Sequence, residues 1–218
     1  MTTQTISTSR VITIYIGLAM TVFLPVFQPS RLGELVVDLP PLQAHEVFWW
    51  ALSAIVLLYV VLVERLPLSS IGLRRPTWGT LGAVLAGAVL MLGASIVIGL
   101  ILAKLGLAIN RAALDKLLAQ PWWFRLLLVT RAGVVEELLL RGYGMERIRE
   151  LTGSRFVAAL VTLAAFTLAH LSYWGVAQLV VAGVAGLVLT LLYLWRRELI
   201  ANMTVHFITD AVGLLLQP

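Results

Sequence analysis

Long runs of apolar residues, separated by short polar segments, dominate the hydrophobicity pattern of the chain. A helix needs about 20 mainly apolar residues to cross the hydrocarbon core of a bilayer. Stretches of this kind lie near 11–27, 47–63, 81–103, 121–145, 155–172, 175–195 and 198–216. The pattern therefore predicts an all-α fold, a polytopic integral membrane helix bundle of about seven transmembrane helices. We expect one membrane-embedded domain over 1–218.

Composition supports this interpretation and excludes several kinds of site. The chain is 60% hydrophobic and 12% charged, whereas a soluble domain is about 45–50% apolar and about 25% charged. It has no cysteine, so it cannot form a disulfide, a thiolate metal site or a cysteine nucleophile. The net charge is +5, but the basic residues lie in short loops. They therefore indicate the orientation of the chain in a membrane rather than a nucleic-acid surface. We expect the protein to interact with the lipid bilayer and not with nucleic acid.

The loops between the predicted spans alternate in charge. Arginines concentrate in 64–80, 146–155 and 196–197, whereas 173–174 has no charge. Cytoplasmic loops carry an excess of Lys and Arg, so this pattern predicts a cytoplasmic N-terminus and an external C-terminus. The segment 104–120, predicted external, is an exception because it is also basic; it is compatible with an amphipathic helix in the interface.

Three predicted spans carry polar groups at membrane depth, where an Asp, Lys or Arg costs about 2.5–3.5 kcal/mol. Such groups persist when they are paired or line a wet cavity. In each span two candidate residues are four apart, and residues at this spacing share one face of an α-helix. The pairs are Glu137 and Arg141, Phe166 and His170, and His206 and Asp210.

The adjacent carboxylates of Glu136 and Glu137 are predicted to have different roles. Arg141 can pair with Glu137 one turn away, whereas Glu136 is rotated by about 100° and has no such partner on its own helix. An unpaired carboxylate in a low-dielectric site holds a proton more strongly, which suits a general base. The residues therefore nominate Glu136 as the reactive group. His45, beside Glu46, lies at a predicted membrane interface and indicates no special role.

The two histidines allow more than one chemistry. An imidazole can share protons near neutral pH, donate to a developing oxyanion or bind a metal. One glutamate and two histidines also form a common catalytic zinc site, for which the ligands would be Glu136, His170 and His206. If the spans are straight, His170 lies about 8–10 Å away from the other two along the membrane normal.

Three motifs together resemble a known family. They are "EELLLR" at 136–141, "FTLAH" at 166–170 and "HFITD" at 206–210, in this order and within about 125–216. This arrangement is similar to that of the CPBP proteins, the CAAX protease and bacteriocin-processing group, which includes the type II CAAX prenyl endopeptidases. "IGLRRP" at 71–76 also looks like a segment found in many members. The resemblance places the catalytic core at about 125–216.

The resemblance implies a glutamate-dependent intramembrane endopeptidase that hydrolyses peptide bonds of a membrane-associated protein or peptide. Glu136 would activate a water with help from His170, and His206 and Asp210 would stabilise the tetrahedral oxyanion. The other motif residues would support the site: Glu137, Arg141 and Phe166. No cofactor is expected, although zinc held by the ligand set above stays an alternative. We expect the protein in the plasma membrane of a prokaryote.

One position departs from the family pattern, because Asp210 stands where many members have Asn. An ionised Asp accepts hydrogen bonds but cannot donate one to an oxyanion. We therefore expect Asp210 to orient His206 and leave His206 as the donor.

Two other classes of function compete with the peptidase. One is a non-catalytic membrane scaffold or immunity protein. The other is a small proton-coupled transporter with a relay through Glu and His, against which stands the lack of paired internal repeats. The sequence does not specify a prenyl pocket, a natural substrate or an oligomeric state.

Overall fold

The computed structural model describes residues 6–24, 40–108, 110–171 and 175–216. Helices form almost all of this part of the chain, and it contains no strand. The predicted all-α class is therefore confirmed. The helices are α1 (Thr8–Leu18), α2 (Pro41–Leu58), α3 (Trp78–Lys104), α4 (Arg111–Leu118), α5 (Trp122–Arg131), α6 (Met145–Thr152), α7 (Arg155–Ala169), α8 (Val176–Arg196) and α9 (Leu199–Leu214).

Helices at all seven predicted spans are present, but they differ in length. Three described segments are long and apolar enough to cross a membrane: Pro41–Val63, Trp78–Lys104 and Ala177–Arg196. Three others are apolar but shorter: Thr8–Phe23, Arg155–Ala169 and Leu199–Leu214. The chain is thus a helical membrane protein, and the number of crossings stays a prediction.

A π-helical stretch, Ala132–Gly144, joins α5 to α6 without a break. In a π-helix the backbone hydrogen bond connects residues five apart, and such stretches occur mostly at functional sites. Small residues let this segment pack closely against α9. A Cβ atom on Gly133 would lie 2.9 Å from the carbonyl oxygen of Met203, and one on Gly142 would lie 2.8 Å from a methyl group of Leu199.

Small residues also bring α3 and α8 close to their neighbours, as is common where membrane helices pack. A Cβ on Gly87 of α3 would lie 2.9 Å from a methyl group of Val205. A Cβ on Gly186 of α8 would lie 2.8 Å from the ring of Phe166. Gly186 therefore lets α8 approach the motif residues of α7 directly.

The three arginine-rich loops meet at one end of the bundle. Glu64 accepts a hydrogen bond from Arg147 at 2.6 Å and pairs with Arg10 at 3.0 Å. Glu146 accepts one from Arg197 at 2.7 Å. The basic loops thus lie on the same side of the bundle as the beginning of α1, as the charge pattern predicts. Which side faces the cytoplasm stays a prediction.

The segment 104–120 belongs to the opposite end. Its residues 111–118 form α4, and Leu117 packs in a cluster with Phe124, Leu128, Leu42 and Leu214. Leu214 is the last residue of α9, so α4 lies beside the end of the last described helix. This position agrees with the topology predicted from charge, in which 104–120 and the C-terminus lie on the same side of the membrane. The polar segment 30–46, for which the sequence also allows an amphipathic helix in the interface, lies mostly outside the described residues.

Candidate active site

The fully buried carboxylate of Glu137 connects the π-helical segment to α9. Its Oε1 accepts a hydrogen bond from Arg141 Nη1 at 2.8 Å and lies 3.0 Å from Nδ1 of His206. Its Oε2 accepts a hydrogen bond from Asn202 Nδ2 at 3.1 Å. The predicted Glu137–Arg141 pair is therefore confirmed, and the motif histidine of α9 joins it.

Arg141 extends this network to α7 and α8. Its Nη2 donates to the carbonyl oxygen of Gly186 at 3.1 Å. Its guanidinium carbon lies 4.3 Å from the centre of the Phe166 ring, a cation–π geometry that stabilises a desolvated arginine. Arg141 is completely buried, so these contacts, together with Glu137, replace the water that it lacks.

Phe166 contacts both motif histidines. It therefore places the motif at 166–170 next to the motif at 206–210. Its ring centre lies 4.7 Å from that of His170 and 6.0 Å from that of His206. His170 directly follows the last residue of α7, and its Nδ1 lies 2.7 Å from the carbonyl oxygen of Phe166. Because a carbonyl oxygen only accepts, Nδ1 carries the proton of a neutral His170, and Nε2 carries the lone pair.

Glu136 has a partner on its own helix, so the prediction that it lacks one is wrong. Nη1 of Arg131 donates to Glu136 Oε1 at 3.0 Å. In an α-helix a residue five positions away is rotated by about 140°. The pair forms because the backbone between the two residues is π-helical, which brings positions five apart together.

Arg131 also binds Glu46 of α2, a residue to which the sequence assigned no role. Nε of Arg131 donates to Glu46 Oε1 at 2.9 Å, and Glu46 is only 2% exposed. Glu46 is therefore a site residue that the sequence analysis missed. One signal pointed to it: Arg131 lies within a predicted span and has no acid three or four residues away, so a partner from another helix was required.

Asn202 is a second residue that the sequence analysis missed. Besides binding Glu137, its Nδ2 donates to the carbonyl oxygen of Leu189 at 2.7 Å. It precedes His206 by four residues and therefore lies on the same face of α9. That spacing was the available signal, because a polar amide one turn from a motif histidine in an apolar helix needs partners of its own.

Asp210 faces the other side of His206. Its Oδ2 lies 3.6 Å from His206 Nε2, whereas Nδ1 of the same ring faces Glu137. The imidazole is thus flanked by two carboxylates. Its Nδ1 is held by a short hydrogen bond, and its Nε2 has only a longer ionic contact.

The candidate zinc ligands do not form a metal site in the described residues. No group of three His, Asp or Glu side chains in that part of the chain is arranged to hold a metal ion. Nδ1 of His206 is occupied by Glu137, and Nδ1 of His170 by a backbone carbonyl. If a metal ion were bound, these contacts would leave Nε2 of each histidine as the atom to face it.

A comparison with protein families agrees with the motif analysis. Residues 118–212 match the family described as type II CAAX prenyl endopeptidase Rce1-like. No curated protein and no solved structure matches the chain. The matched segment begins at the end of α4 and contains all three motifs, and the apolar helices around it make the chain a membrane protein. Over residues 118–212, the chain is therefore similar to the Rce1-like type II CAAX prenyl endopeptidase family.

Proposed function

We propose that the protein is an intramembrane endopeptidase in which Glu136 activates the attacking water. Its substrate would be a membrane-associated protein or peptide. The observation that carries the proposal is the contrast between the two adjacent carboxylates. The side chain of Glu136 is 23% exposed, whereas that of Glu137 is completely buried and accepts three hydrogen bonds. Only Glu136 can meet a water and a peptide.

The two oxygens of Glu136 have different surroundings. Oε1 accepts the hydrogen bond from Arg131, so this contact fixes the direction of the carboxylate. Within the described residues, no side-chain or backbone donor forms a hydrogen bond to Oε2. Oε2 is therefore the atom that we assign to the water. A general base must lie within hydrogen-bond reach of the proton it takes.

His170 is placed to take part in proton transfer. With its Nδ1 proton donated to the carbonyl of Phe166, a neutral His170 carries its lone pair on Nε2, which can accept a proton and then donate it. In the proposed reaction the water oxygen bonds to the substrate carbonyl carbon while a water proton passes to Glu136. The C–N bond then breaks, and the proton is delivered to the leaving amine, with His170 assisting.

His206 would stabilise the charge that develops on the substrate carbonyl oxygen. Glu137 holds one ring nitrogen of His206, so the other, Nε2, has a fixed direction. A protonated Nε2 donates a hydrogen bond, and one oxyanion donor of this kind contributes about 10²–10³ in rate. Asp210, on the Nε2 side, accepts but cannot donate. Its proposed part is to orient His206.

The test is peptide release in vesicles by the wild type, E136Q and E150Q. The substrates are membrane-anchored peptides with a quenched fluorophore, with and without a prenyl group. Glutamine has the shape of glutamate but is not a base at neutral pH, so E136Q should lose at least about 10²-fold in rate. Glu150 is a carboxylate at the other end of the helix, and E150Q is the matched control.

Three results would decide the matter. Loss of cleavage in E136Q, with unfolding temperature and insertion unchanged and E150Q active, supports the proposal. An E136Q rate within tenfold of the wild type contradicts the assignment of Glu136. Absence of cleavage of every peptide by the wild type contradicts the proposed activity on these substrates and favours the scaffold alternative.

A further inference from the structure

A cavity of about 670 Å³ opens where the three basic loops meet. It lies on the side of α6, beyond the π-helical segment, so it is separate from the candidate active site. Five arginines line it: Arg74, Arg147, Arg149, Arg155 and Arg197. They come from all three loops that the charge pattern assigns to one membrane face.

The carboxylates in this cavity are already engaged. Glu146 accepts hydrogen bonds from Arg197 at 2.7 Å and from Arg149 at 2.9 Å. Glu150 accepts one from Arg10 at 2.7 Å, which lies outside the cavity lining. A third carboxylate outside the lining, Glu64, binds Arg147. The carboxylates are therefore used to orient arginines, and three glutamates do not balance the charge of the five lining arginines and Arg10.

Several donors in the cavity lack a protein acceptor. Arg74 and Arg155 have no carboxylate partner among the described residues. Nε of Arg149 is buried without a hydrogen-bond partner in the same part of the chain. The hydroxyl oxygen of Ser70 accepts from Arg147 at 3.1 Å, which leaves its proton free to donate. An anion with several oxygens would satisfy these groups.

Two lining arginines are close in sequence to exposed aromatic side chains. Phe156, which follows Arg155, is 76% exposed, and Trp195, two residues before Arg197, is 65% exposed. Exposed aromatic side chains next to arginines are typical of the boundary between hydrocarbon and headgroups. This pattern supports a position for the cavity at the depth of the phospholipid phosphates.

We propose that this cavity binds a phosphate ester, and that its source is the headgroup of an anionic phospholipid. Arginine forks match phosphate oxygens bidentately, and basic pockets between membrane helices bind anionic headgroups. Arg74 and Arg155 supply the uncompensated charge. Arg149 and Arg197, oriented by Glu146, supply directed donors.

The test measures thermal unfolding of the full-length protein in detergent during titration with short-chain phosphatidylglycerol. A ligand that binds only the folded state raises the unfolding temperature with its concentration. We expect R74Q with R155Q to raise the half-saturating concentration at least tenfold. The control is R75Q with R111Q, which removes the same charge from two exposed residues outside the cavity and should change that concentration less than twofold.

Short-chain phosphatidylcholine and glycerol 3-phosphate distinguish the sources. Stabilisation by phosphatidylglycerol alone supports a headgroup site. Equal stabilisation by glycerol 3-phosphate supports a phosphate site that does not need the acyl chains. The proposal is overturned if phosphatidylcholine stabilises the wild type as well as phosphatidylglycerol does. It is also overturned if the double cavity variant responds like the wild type.

Discussion

Arg131 and Glu136 form an ion pair at 3.0 Å across five positions of one helix. The same guanidinium holds Glu46 of α2 at 2.9 Å. The proposed general base is therefore not isolated, because its position depends on a cation that it shares with a second carboxylate. This relationship links the geometry of the active site to the packing of α2 against α5.

Replacement of Arg131 should destabilise the fold. In R131Q the buried Glu46 loses its counter-ion, and breaking a buried pair costs about 3–5 kcal/mol. R131K keeps the charge but has no planar fork to bind both carboxylates, so its loss should be smaller. The unfolding temperature in detergent measures both. Adding E46Q to R131Q should recover part of the loss, and strictly additive losses would show that the two residues do not interact.

Glu137 and Arg141 should show the same kind of coupling. Glu137→Ala leaves Arg141 buried without its carboxylate, and also releases Asn202 and His206, so we expect a loss of about 3–5 kcal/mol together with loss of activity. The double change Glu137→Ala with Arg141→Ala should lose less than the sum of the single changes. Thermal unfolding of the three variants tests this. A sum equal to the double loss would contradict the pairing.

The proposed mechanism predicts that peptide release does not depend on zinc. Activity in vesicles should survive exhaustive treatment with EDTA or phenanthroline, and the active protein should contain far less than one metal ion per chain by elemental analysis. A zinc site would need Glu136, His170 and His206 as ligands and a separate base. Stoichiometric zinc that is lost with activity and restores it would make Glu136 a ligand instead.

Reporter fusions test which loops lie on the same side of the membrane. Fusions after Arg75, Gly153 and Arg197 should report the same side, and the charge pattern predicts that it is the cytoplasm. Fusions after Gly106 and at the C-terminus should report the opposite side, because α4 packs beside the end of α9. If a fusion after Gly106 reports the same side as the arginine-rich loops, the prediction that 104–120 lies on the opposite side of the membrane from these loops is contradicted.

The sequence predicted the parts of the site that depend on local spacing. Phe166 and His170, four residues apart at the end of α7, meet as α-helical geometry requires. Glu137 and Arg141 also pair at the predicted spacing, although the backbone between them is π-helical. It could not predict that Arg131 turns to Glu136, because that contact depends on a local change of the helix type. Helix periodicity alone does not reveal such a change.

Contacts between distant segments were also beyond sequence reasoning. Glu46 and Arg131 are 85 positions apart, and nothing in either local pattern specifies the other. Asn202 lies in an apolar helix whose partners are set by the packing of α9 against the π-helical segment and α8. Such residues are recognised only when the helices are assembled.

The π-helical register has a consequence for aligning relatives of this chain. A gap of one residue between positions 131 and 136 would look harmless in a helix of ordinary periodicity. Here it would place the arginine four residues before the first glutamate, a spacing at which two side chains share one face of an α-helix. A relative that is one residue shorter there can therefore keep this ion pair with an α-helical backbone. The five-residue spacing and the π-helical backbone belong together, and an alignment should compare them as one feature.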